Sequence, residues 1–596
     1  MSPNYIKFSS GVAGKLLFVS IGEQKLRDSG AKRRGVLEPV SKRESRFENT
    51  LEEASFLLLF LEGQKKEKNK DDSHYLTVNY SLLTIHHSPL TSNYFLLSSG
   101  MLSNLRKSIL TFVNGPKEYP VLAGIAAGLY PLLNTYDANF NLINSWEQFA
   151  FHFGTFVLLP VLLFPLVLWS LKKIGLFPKL HKYALSVMNF CVFAGLIVII
   201  TEGSKKEFFL MVVLVAGLLG ALLHKHLKKV IVLQFILAIT VLFTLVPFLT
   251  RYINYDTAWM EQPDAIEEVT FQKQPNVYFI QPDGYVNFGN LSEAPYNYNN
   301  SDLESFLSEK NFKTYDHFRS NYPNTVTSNS SLLTMKHHYF SNPRKTGKTP
   351  SKYRSVITGD NAVVSIFNNN GYNTHLLLET PYLVLNRPKM AFDHCNIGYD
   401  EIPLLSRGFD LKKDLAADLE KILDDENSGK RFVFVEKIAP AHVQFRQAAS
   451  LGMEKERELY LERLEEANEW LKEVVGLITA QDPEALIVIA ADHGGYVGYE
   501  YGFQSRTRSN DKVLLNSVFS AVLAIRWPNG QAPEYDSKFR SSVNLFRILF
   551  SYLSEDSKYL EQLQNDGSYL EIYEGAPFGV YKVLDQQGEV VFEEIQ

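Results

Sequence analysis

Long apolar runs set the first part of the chain apart from the rest. Between about residues 119 and 250, successive runs approach the length of about 20 residues that a helix needs to cross a membrane. A buried helix of a globular protein is the alternative for any single run, but several in succession favour a membrane domain. The predicted spans are residues 119–135, 151–171, 183–201, 207–223 and 230–250.

Loop charges predict how these spans are oriented, because lysine and arginine are enriched on the cytoplasmic side. Basic residues are concentrated before the first span, at residues 172–182 and at residues 224–229, whereas residues 134–148 have none. The loop at residues 202–207 is an exception, with two lysines. Five spans then place the N-terminus in the cytoplasm and everything after Arg251 in the periplasm or outside the cell.

After residue 275 the pattern changes to short apolar runs that alternate with amphipathic segments. Alternating strands and helices predict an α/β domain over residues 276–596, with a mostly parallel central sheet flanked by helices. Residues 251–275 are polar and aperiodic, which is typical of a linker. The predicted strands are 276–281, 373–379, 431–438, 485–490 and 517–527, and the main predicted helices are 301–312, 361–372, 411–425, 453–479 and 542–553.

Residues 1–100 fit neither pattern, since they mix basic runs with one short apolar patch at residues 56–63. This patch is too short to span a membrane and lacks the layout of a secretory signal, so the segment is predicted to be disordered or a non-native extension. Met101 is a candidate biological start, because residues 101–110 resemble a cytoplasmic leader before a first span. The transmembrane domain is therefore expected at residues 101–250.

Composition excludes two kinds of site. The formal net charge of −5 and a pI near 6.3 give no indication of nucleic-acid binding. The two cysteines, Cys191 in an apolar run and Cys395 in the soluble part, cannot form a thiolate metal cluster, and a disulfide between them is not expected.

Two predicted strands end in acidic residues. The first ends in Asp283 and Gly284, and a later one in Asp492 and His493, followed by two glycines that permit a sharp turn. In α/β sheets ligands bind beyond the carboxyl ends of the strands, so Asp283, Asp492 and His493 are candidate ligands of one divalent metal. Oxygen and imidazole donors favour zinc or manganese over magnesium or calcium. Ordinary polar turns are the alternative.

A hydroxyl and a histidine are placed to act beside such a metal. Thr325 stands where a helix is predicted to begin, and a helix N-terminus favours an anion. It is a candidate nucleophile and metal ligand, or simply the cap of its helix. His442 follows the strand at residues 431–438, where it is predicted to bind a substrate oxygen or protonate a leaving group, unless it is a solvated loop residue. Arg506, Arg508 and Lys512 are candidates to clamp an anionic headgroup, or members of a solvated loop.

These motifs resemble the sulfatase-like branch of the alkaline phosphatase superfamily. The resemblance lies in NVYFIQPDGY, SNYPNT, APAHVQF, ADHGG and SVNLFRILF, and it covers about residues 119–596. Five spans before an external domain resemble the lipoteichoic acid synthases and the lipid A phosphoethanolamine transferases. The resemblance implies that Asp283, Thr325, Asp492 and His493 bind the metal, that Thr325 is the nucleophile and that His442 helps to hold the substrate.

Several departures from the family narrow the function. Formylglycine sulfatases carry their reactive Cys or Ser in a C/S-x-P-x-R motif. Neither cysteine of this chain lies in such a motif, which disfavours an arylsulfatase. No histidine follows His493, which favours a site with one metal over the two-metal site of alkaline phosphatases. A single Asp283 stands where sulfatases commonly have an Asp-Asp pair and where the transferases generally have a glutamate. The resemblance therefore does not determine which metal is bound.

The leading hypothesis is an enzyme of the inner (cytoplasmic) membrane, with several spans, that transfers a phospholipid-derived phospho-headgroup to a surface glycan or lipid through a threonine-linked intermediate. The expected partners are the membrane and a phospholipid or another anionic ester. A hydrolase of sulfate or phosphate esters with the same site is the first alternative. The second is an inactive membrane-anchored scaffold, for which a complete set of site residues would have no purpose.

Overall fold

The structure is a computed structural model that describes residues 99–175, 178–202, 206–339, 351–425 and 429–595. The prediction for residues 1–98 lies outside these ranges. The chain divides into two compact units, and the described part of the smaller one is helix α1, Ser99–Asn114. The candidate start Met101 lies within this helix. The larger unit contains the remaining described residues, from Gly115 onwards.

Apolar helices cover all five predicted spans. Among the described residues, three stretches are long and apolar enough to cross a membrane, at Trp146–Ile174, Pro178–Thr201 and His224–Ile253. The predicted first span ends in a polar turn, and the predicted fourth has 17 residues, or about 25 Å, so five spans are not established. The helices are α2 Pro120–Asn139, α3 Trp146–Phe153, α4 Leu159–Ile174, α5 His181–Glu202, α6 Lys206–Leu222 and α7 Leu227–Ile253.

Small residues let α2 approach the neighbouring apolar helix closely. A Cβ atom at Gly128 would lie 1.7 Å from the carbonyl oxygen of Phe156, in the π-helical turn Gly154–Leu158 between α3 and α4. At Gly124 it would lie 2.8 Å from the backbone of Pro160. Such contacts between backbones are a common way to associate helices in membranes. Helix α2 is therefore a packed member of the bundle.

A seven-stranded sheet forms the centre of the second part, with the strand order β2-β7-β6-β1-β5-β3-β4. Neighbours from β6 through β1, β5 and β3 to β4 are parallel, while β7 is antiparallel to both β6 and β2. The predicted mostly parallel sheet is thus confirmed. Its strands are β1 Val277–Pro282, β2 Phe312–Thr314, β3 Asn373–Leu378, β4 His394–Cys395, β5 Arg431–Lys437, β6 Leu486–Ala490 and β7 Leu523–Arg526.

Helices cover both faces of this sheet. On one face Phe279 of β1 stacks on Phe546, with ring centroids 5.2 Å apart. On the other face the Tyr278 hydroxyl donates to Asp482 at the end of the longest helix, at 3.2 Å. The helices are α8 Phe288–Ser292, α9 Ser301–Glu309, α10 Thr325–Thr334, α11 Tyr353–Thr358, α12 Ala362–Asn369, α13 Leu415–Leu423, α14 Met453–Gln481, α15 Lys512–Phe519 and α16 Leu545–Ser554.

Two parts of this domain differ from the prediction. The first half of the predicted strand at residues 517–527 is wrong, because helix α15 runs to Phe519. Asp511 caps that helix by accepting the backbone N–H groups of Val513 and Leu514, which starts a helix the apolar pattern did not reveal. A three-stranded antiparallel sheet near the C-terminus was not predicted, and it consists of β8 Ser568–Ile572, β9 Gly579–Leu584 and β10 Val590–Glu594.

The first turn of α3 and the residues just before it contact the sheet domain at residues 385–387, which follow β3 in the chain. The Gln148 amide donates to the carbonyl oxygen of Leu385 at 3.0 Å, and the Asn386 amide donates to Asn144 at 3.2 Å. Arg387 forms an ion pair of 3.2 Å with Glu147. The carboxyl edge of the sheet therefore faces this end of the helical bundle.

Candidate active site and metal centre

The carboxyl ends of β1 and β6 bring three predicted site residues together. His493 Nε2 lies 3.3 Å from an oxygen of Asp283 and 3.4 Å from Asp492 Oδ2. Ligand atoms of the three side chains all lie within 4.8 Å of one another, and all three residues are buried. These strands are neighbours in the sheet, so their ends deliver the carboxylates and the imidazole to one point.

Backbone hydrogen bonds fix the direction in which these ligand atoms point. Asp492 Oδ1 accepts the N–H groups of Gly284 and His493, each at 3.1 Å. His493 Nδ1 lies 2.8 Å from the carbonyl oxygen of Gly494, so it must carry a proton and donate. In the neutral ring Nε2 then presents a lone pair to the two carboxylates, as a metal-binding histidine does.

Burial and mutual attraction set the protonation of this group. Burial raises the pKa of Asp492 to about 7, against the opposing effect of His493. Burial alone would lower the pKa of His493, but Asp492 and Asp283 raise it to about 9. Burial also acts to raise the pKa of Asp283, but hydrogen bonding and attraction to His493 hold it below its usual value. Without a cation, protons therefore hold the cluster together.

The donor set fits a divalent metal. Two ligands at about 2.0 Å from a tetrahedral zinc are about 3.3 Å apart, close to the separations His493 Nε2 makes with both carboxylates. Asp492 Oδ2 is buried and has no hydrogen-bond partner, a costly arrangement that a cation would relieve. Asp283, Asp492 and His493 are thus the residues that would hold it.

The two glycines after His493 serve close packing, and neither needs the left-handed backbone that only glycine adopts easily. Neither Gly494 nor Gly495 is among the residues with positive φ. A Cβ at Gly494 would lie 2.4 Å from the carbonyl oxygen of Ser517, and one at Gly495 would lie 2.2 Å from the ring of Tyr460. Glycine therefore lets the segment after the strand pass beneath α15 and against α14.

Thr325 is the first residue of α10, where the sequence predicted the helix to begin. Asn324 caps the helix, because its side chain accepts the N–H of Thr327 at 3.1 Å. The Thr325 hydroxyl instead donates to Asp283 Oδ1 at 3.2 Å. Thr325 is therefore not the helix cap, and its oxygen lies beside the carboxylate and histidine cluster at a helix N-terminus.

The loop that carries His442 rests directly on the end of β1. The N–H of Ala441 donates to the carbonyl oxygen of Asp283 at 2.7 Å. His442 Nδ1 lies 2.6 Å from the carbonyl oxygen of Val443 and so donates to it, and the ring centroids of His442 and His493 are 5.9 Å apart. Burial and the nearby His493 lower the pKa of His442. The structure thus places His442 next to the cluster.

Gly284 makes this close approach possible, which gives a first test. Its φ is +72°, and a Cβ would lie 2.2 Å from the carbonyl oxygen of Ala441. We expect Gly284→Ala to push the His442 loop away and to lower stability by about 1–3 kcal/mol, with loss of activity. Thermal unfolding and turnover of a phosphate or sulfate ester check this.

The control for Gly284 is Gly530→Ala. Gly530 also has a positive φ, of +70°, but its Cβ would meet nothing within 4 Å. This variant carries the backbone strain without the clash and should keep its activity. Equal effects of the two substitutions would contradict the role of Gly284 in seating the loop.

The three cations of the loop after His493 lie in different surroundings. Arg508 stacks over the ring of Phe592 and Lys512 pairs with Glu589 at 2.8 Å, so the structure keeps them in surface contacts. Arg506 is buried and lines a cavity of about 90 Å³ together with Asn324 and Thr327. Of the three cations, Arg506 is therefore the one that lies beside the start of α10.

Glu436 is a buried acid near the site that the sequence analysis missed. It lies on β5 level with Gln281 of β1, it is fully buried, and neither carboxylate oxygen has a hydrogen-bond partner. Burial, together with the charges of Asp283 and Asp492, raises its pKa well above the usual range. The available signal was a single acid directly after four apolar residues of the strand, in RFVFVEK.

The raised pKa of Glu436 predicts how stability depends on pH. The folded state keeps a proton that the unfolded chain releases above its ordinary pKa, so this group destabilises the fold as pH rises above that value. Glu436→Gln removes the proton uptake. The variant should gain stability over the native protein by up to about 1.4 kcal/mol per pH unit between pH 5 and pH 8.

Thermal unfolding with a chelator present measures this difference, since a bound cation would itself favour the charged form of Glu436. Glu379→Gln is the control, because that buried carboxylate already pairs with Lys437 at 2.7 Å and Lys412 at 3.1 Å. It should destabilise the protein instead. A difference between Glu436→Gln and the native protein that is independent of pH would contradict the assignment.

The mixed sheet with flanking helices matches an alkaline phosphatase-like domain, and the chain belongs with enzymes that act on phosphoric or sulfuric esters. The sulfatase family model matches residues 275–554, so this part of the chain is a sulfatase-family domain. No curated protein matches the chain.

Solved structures of low sequence identity also match. The C-terminal periplasmic domain of EcEptC from Escherichia coli is 12% identical, with 53% of this chain and 95% of that one covered and a TM-score of 0.35. Lipooligosaccharide phosphoethanolamine transferase A from Neisseria meningitidis is 11% identical, with 74% and 96% covered and a TM-score of 0.37. A phosphonate monoester hydrolase from Silicibacter pomeroyi is 15% identical, with 51% and 81% covered and a TM-score of 0.34.

Proposed function

We propose that this enzyme is membrane-anchored and transfers a phospholipid-derived phospho-headgroup to a surface glycan or lipid, with Thr325 as the nucleophile. The observation that carries the proposal is the position of the Thr325 hydroxyl. It lies at the start of α10 and 3.2 Å from Asp283. Because Asn324 caps the helix, the Thr325 hydroxyl is not needed for that purpose. A threonine nucleophile forms an ester that a second hydroxyl can displace, which suits group transfer.

The cluster of Asp283, Asp492 and His493 would hold one divalent metal, with zinc or manganese favoured by the mixed oxygen and imidazole donors. Such an ion lowers the pKa of a hydroxyl at its side and neutralises charge on the phosphoryl group. The protein contributes the orientation of the ligands, through the hydrogen bonds of Gly284 and Gly494. The N-terminus of α10 adds N–H groups that favour the phosphoryl oxygens.

The reaction proceeds in two displacements. Thr325 Oγ1 attacks the phosphorus and gives its proton to Asp283 Oδ1, to which it already donates. The bond from phosphorus to the diacylglycerol oxygen breaks, and that oxygen takes a proton from His442 Nε2. The hydroxyl of the acceptor then attacks the same phosphorus and gives its proton to His442 Nε2. The bond from phosphorus to Thr325 breaks, and the Thr325 oxygen takes its proton back from Asp283. His442 can exchange this proton because Nδ1 keeps its own in the bond to Val443.

The membrane keeps the donor lipid beside the site. We propose that α2 and α6 cross the bilayer with the three longer apolar helices, so that the five spans put the N-terminus in the cytoplasm and the sheet domain in the periplasm or outside. Residues 134–148, which include no lysine or arginine, contact the sheet domain through Gln148, whose amide donates to the carbonyl oxygen of Leu385. This contact supports the same side of the membrane for this stretch and the sheet domain. Anchoring raises the effective concentration of lipid at the site.

Intact-mass spectrometry tests the proposal. The full chain in lipid nanodiscs, supplied with manganese or zinc, is offered phosphatidylethanolamine or phosphatidylglycerol. We expect a covalent adduct of headgroup mass on Thr325, located by peptide mapping. Thr327→Ala is the control, because the hydroxyl of this neighbour on the same helix turn donates to the carbonyl oxygen of Asn324, at 3.1 Å, and not to the cluster. This variant should still form the adduct.

Other outcomes are equally informative. Turnover of a sulfate or phosphate ester with no adduct from either lipid would replace the transferase with a hydrolase. Metal binding with neither adduct nor turnover of these substrates would contradict both lipids as donors. A protein that binds no metal and forms no adduct would be the scaffold that the sequence left open.

A further inference from the structure

Exposed apolar side chains of the sheet domain are concentrated in a few loops. Among the described residues after Ile253, the large apolar side chains that are exposed are Leu405, Phe409, Leu451, Met453, Phe503, Val513 and Tyr573. Leu451 is exposed by 66%, more than the others. The described residues from 254 to 404 contribute none. Such clustering on one part of a surface marks an interaction site.

Contacts join two of these loops beside the candidate active site. The N–H of Phe503 donates to the carbonyl oxygen of Phe445 at 3.0 Å, and the rings of these residues are 5.8 Å apart. Phe445 also lies 6.1 Å from the ring of His442. The loop around residue 503 and the segment at residues 444–453 therefore form one surface next to the site. We call Leu405, Arg407, Phe409, Arg446, Leu451, Met453 and Phe503 the rim.

Two arginines place positive charge within this apolar surface. Burial and the nearby Arg407 lower the pKa of Arg446, so the two guanidinium groups lie close enough to repel each other. They belong to different loops, and their proximity joins the loop of Leu405 and Phe409 to the segment of Leu451. Two neighbouring arginines complement the phosphates of a lipid layer, and the apolar side chains around them complement its acyl chains.

The rim is also on the side where the chain meets its apolar helices. The ring of Phe409 stacks on that of Tyr382, with centroids 5.4 Å apart, and Gly408 lies against the backbone of Tyr382. Tyr382 precedes the segment at residues 385–387 that contacts the start of α3 by only a few residues. At that end of the bundle Trp146 is exposed by 82%, as an aromatic anchor at a membrane interface would be.

We propose that the rim is seated on the lipid surface of the membrane that the apolar helices cross. Its apolar side chains enter the headgroup layer, and Arg407 and Arg446 contact anionic lipid phosphates. The rim thereby presents a lipid headgroup to the site of Thr325 and His442. This inference rests on the proposed membrane-anchored function, which it deepens by identifying the surface that meets the lipid.

Depth-dependent quenching tests the contact without requiring turnover. The full chain with Cys191→Ala and Cys395→Ala receives Phe409→Cys or, separately, Leu451→Cys, and each is labelled with bimane. In nanodiscs of phosphatidylcholine and phosphatidylglycerol that contain doxyl lipids, both labels should be quenched at least about twofold more than in discs without the quencher. Two label positions keep the test valid if one variant misfolds.

The control label is Gln531→Cys, which is exposed and follows β7 at the opposite, amino edge of the sheet. It should show no quenching by doxyl lipids. Rim labels that behave like this control would overturn the proposal. Rim labels that are protected from an aqueous quencher but untouched by doxyl lipids would overturn it in favour of a protein partner.

The arginines are tested by Arg407→Gln combined with Arg446→Gln. Quenching at Leu451→Cys should fall in discs that contain phosphatidylglycerol and stay unchanged in pure phosphatidylcholine. Quenching that is equal to the parent in both lipids would overturn the electrostatic part. Thr325→Ala should leave all quenching intact. A protein that retains Thr325, shows the expected quenching and still forms no adduct would count against the transferase chemistry alone.

Discussion

Thr325→Ala is expected to abolish turnover, with a loss of at least about 10³-fold, because no other hydroxyl among the described residues lies at the same position beside Asp283. The fold should be retained, since the helix keeps its cap at Asn324. Steady-state assays with a phosphodiester or sulfate ester, together with the mass of the protein after exposure to lipid, measure the effect. Both turnover and adduct should be lost together.

Two further variants make this result specific. Thr325→Ser preserves a hydroxyl and should retain an adduct, now on the substituted residue, at a reduced rate. Thr327→Ala changes the same helical turn without touching the cluster and should behave like the native enzyme. Turnover that survives Thr325→Ala would rule out covalent catalysis at this position and leave water as the nucleophile.

Loss of the imidazole is expected to remove metal binding. His493→Ala should weaken affinity for manganese or zinc by more than about 100-fold, since changes outside the ligand set alone cost 10–100-fold. A bound metal stabilises the native state by mass action, so the unfolding temperature of the native protein should rise on adding metal. His493→Ala should lose this rise. Calorimetric titration and thermal unfolding measure the two effects.

The same site predicts the pH dependence of metal affinity. The pKa of Asp492 is raised to about 7 and that of His493 to about 9, so both carry protons at pH 6 that a metal must displace. Affinity should therefore rise with pH, by at least about tenfold between pH 6 and pH 8. His442→Asn is the control, as His442 is not among the three clustered ligands and metal binding should persist. Affinity that is independent of pH would contradict this assignment.

Much of the architecture could be predicted because burial leaves a simple trace in the sequence. Strands β1 and β6 are covered on both faces, so nearly every residue is apolar and the polar residues begin where the strand ends. Asp283 and Asp492 stand at those ends, and parallel neighbours necessarily bring them to one edge. The same reasoning failed at α15, where an apolar run was half helix and half strand and only the cap at Asp511 distinguishes them.

Other features depend on contacts between distant segments, which no local pattern encodes. In the sequence, Glu436 is one acid after a short apolar run. Its place beside Gln281, near the site, follows only from the pairing of β1 with β5. The proximity of Arg407 and Arg446 depends on loops some 40 residues apart in sequence. The roles of Gly494 and Gly495 likewise lie in the Ser517 carbonyl and Tyr460 ring that pack against them.

The contacts of Asn144, Glu147 and Gln148 with residues 385–387 have a mechanical consequence in the membrane-anchored enzyme that we propose. Because the first turn of the long apolar helix is held to the sheet domain, any vertical shift of that helix also shifts the catalytic edge. Bilayers of different thickness displace or tilt helices to match their apolar length. The thickness of the hydrocarbon layer then sets the height of Thr325 above the lipid surface. That height in turn sets how far an acceptor hydroxyl must extend from the membrane to reach the site.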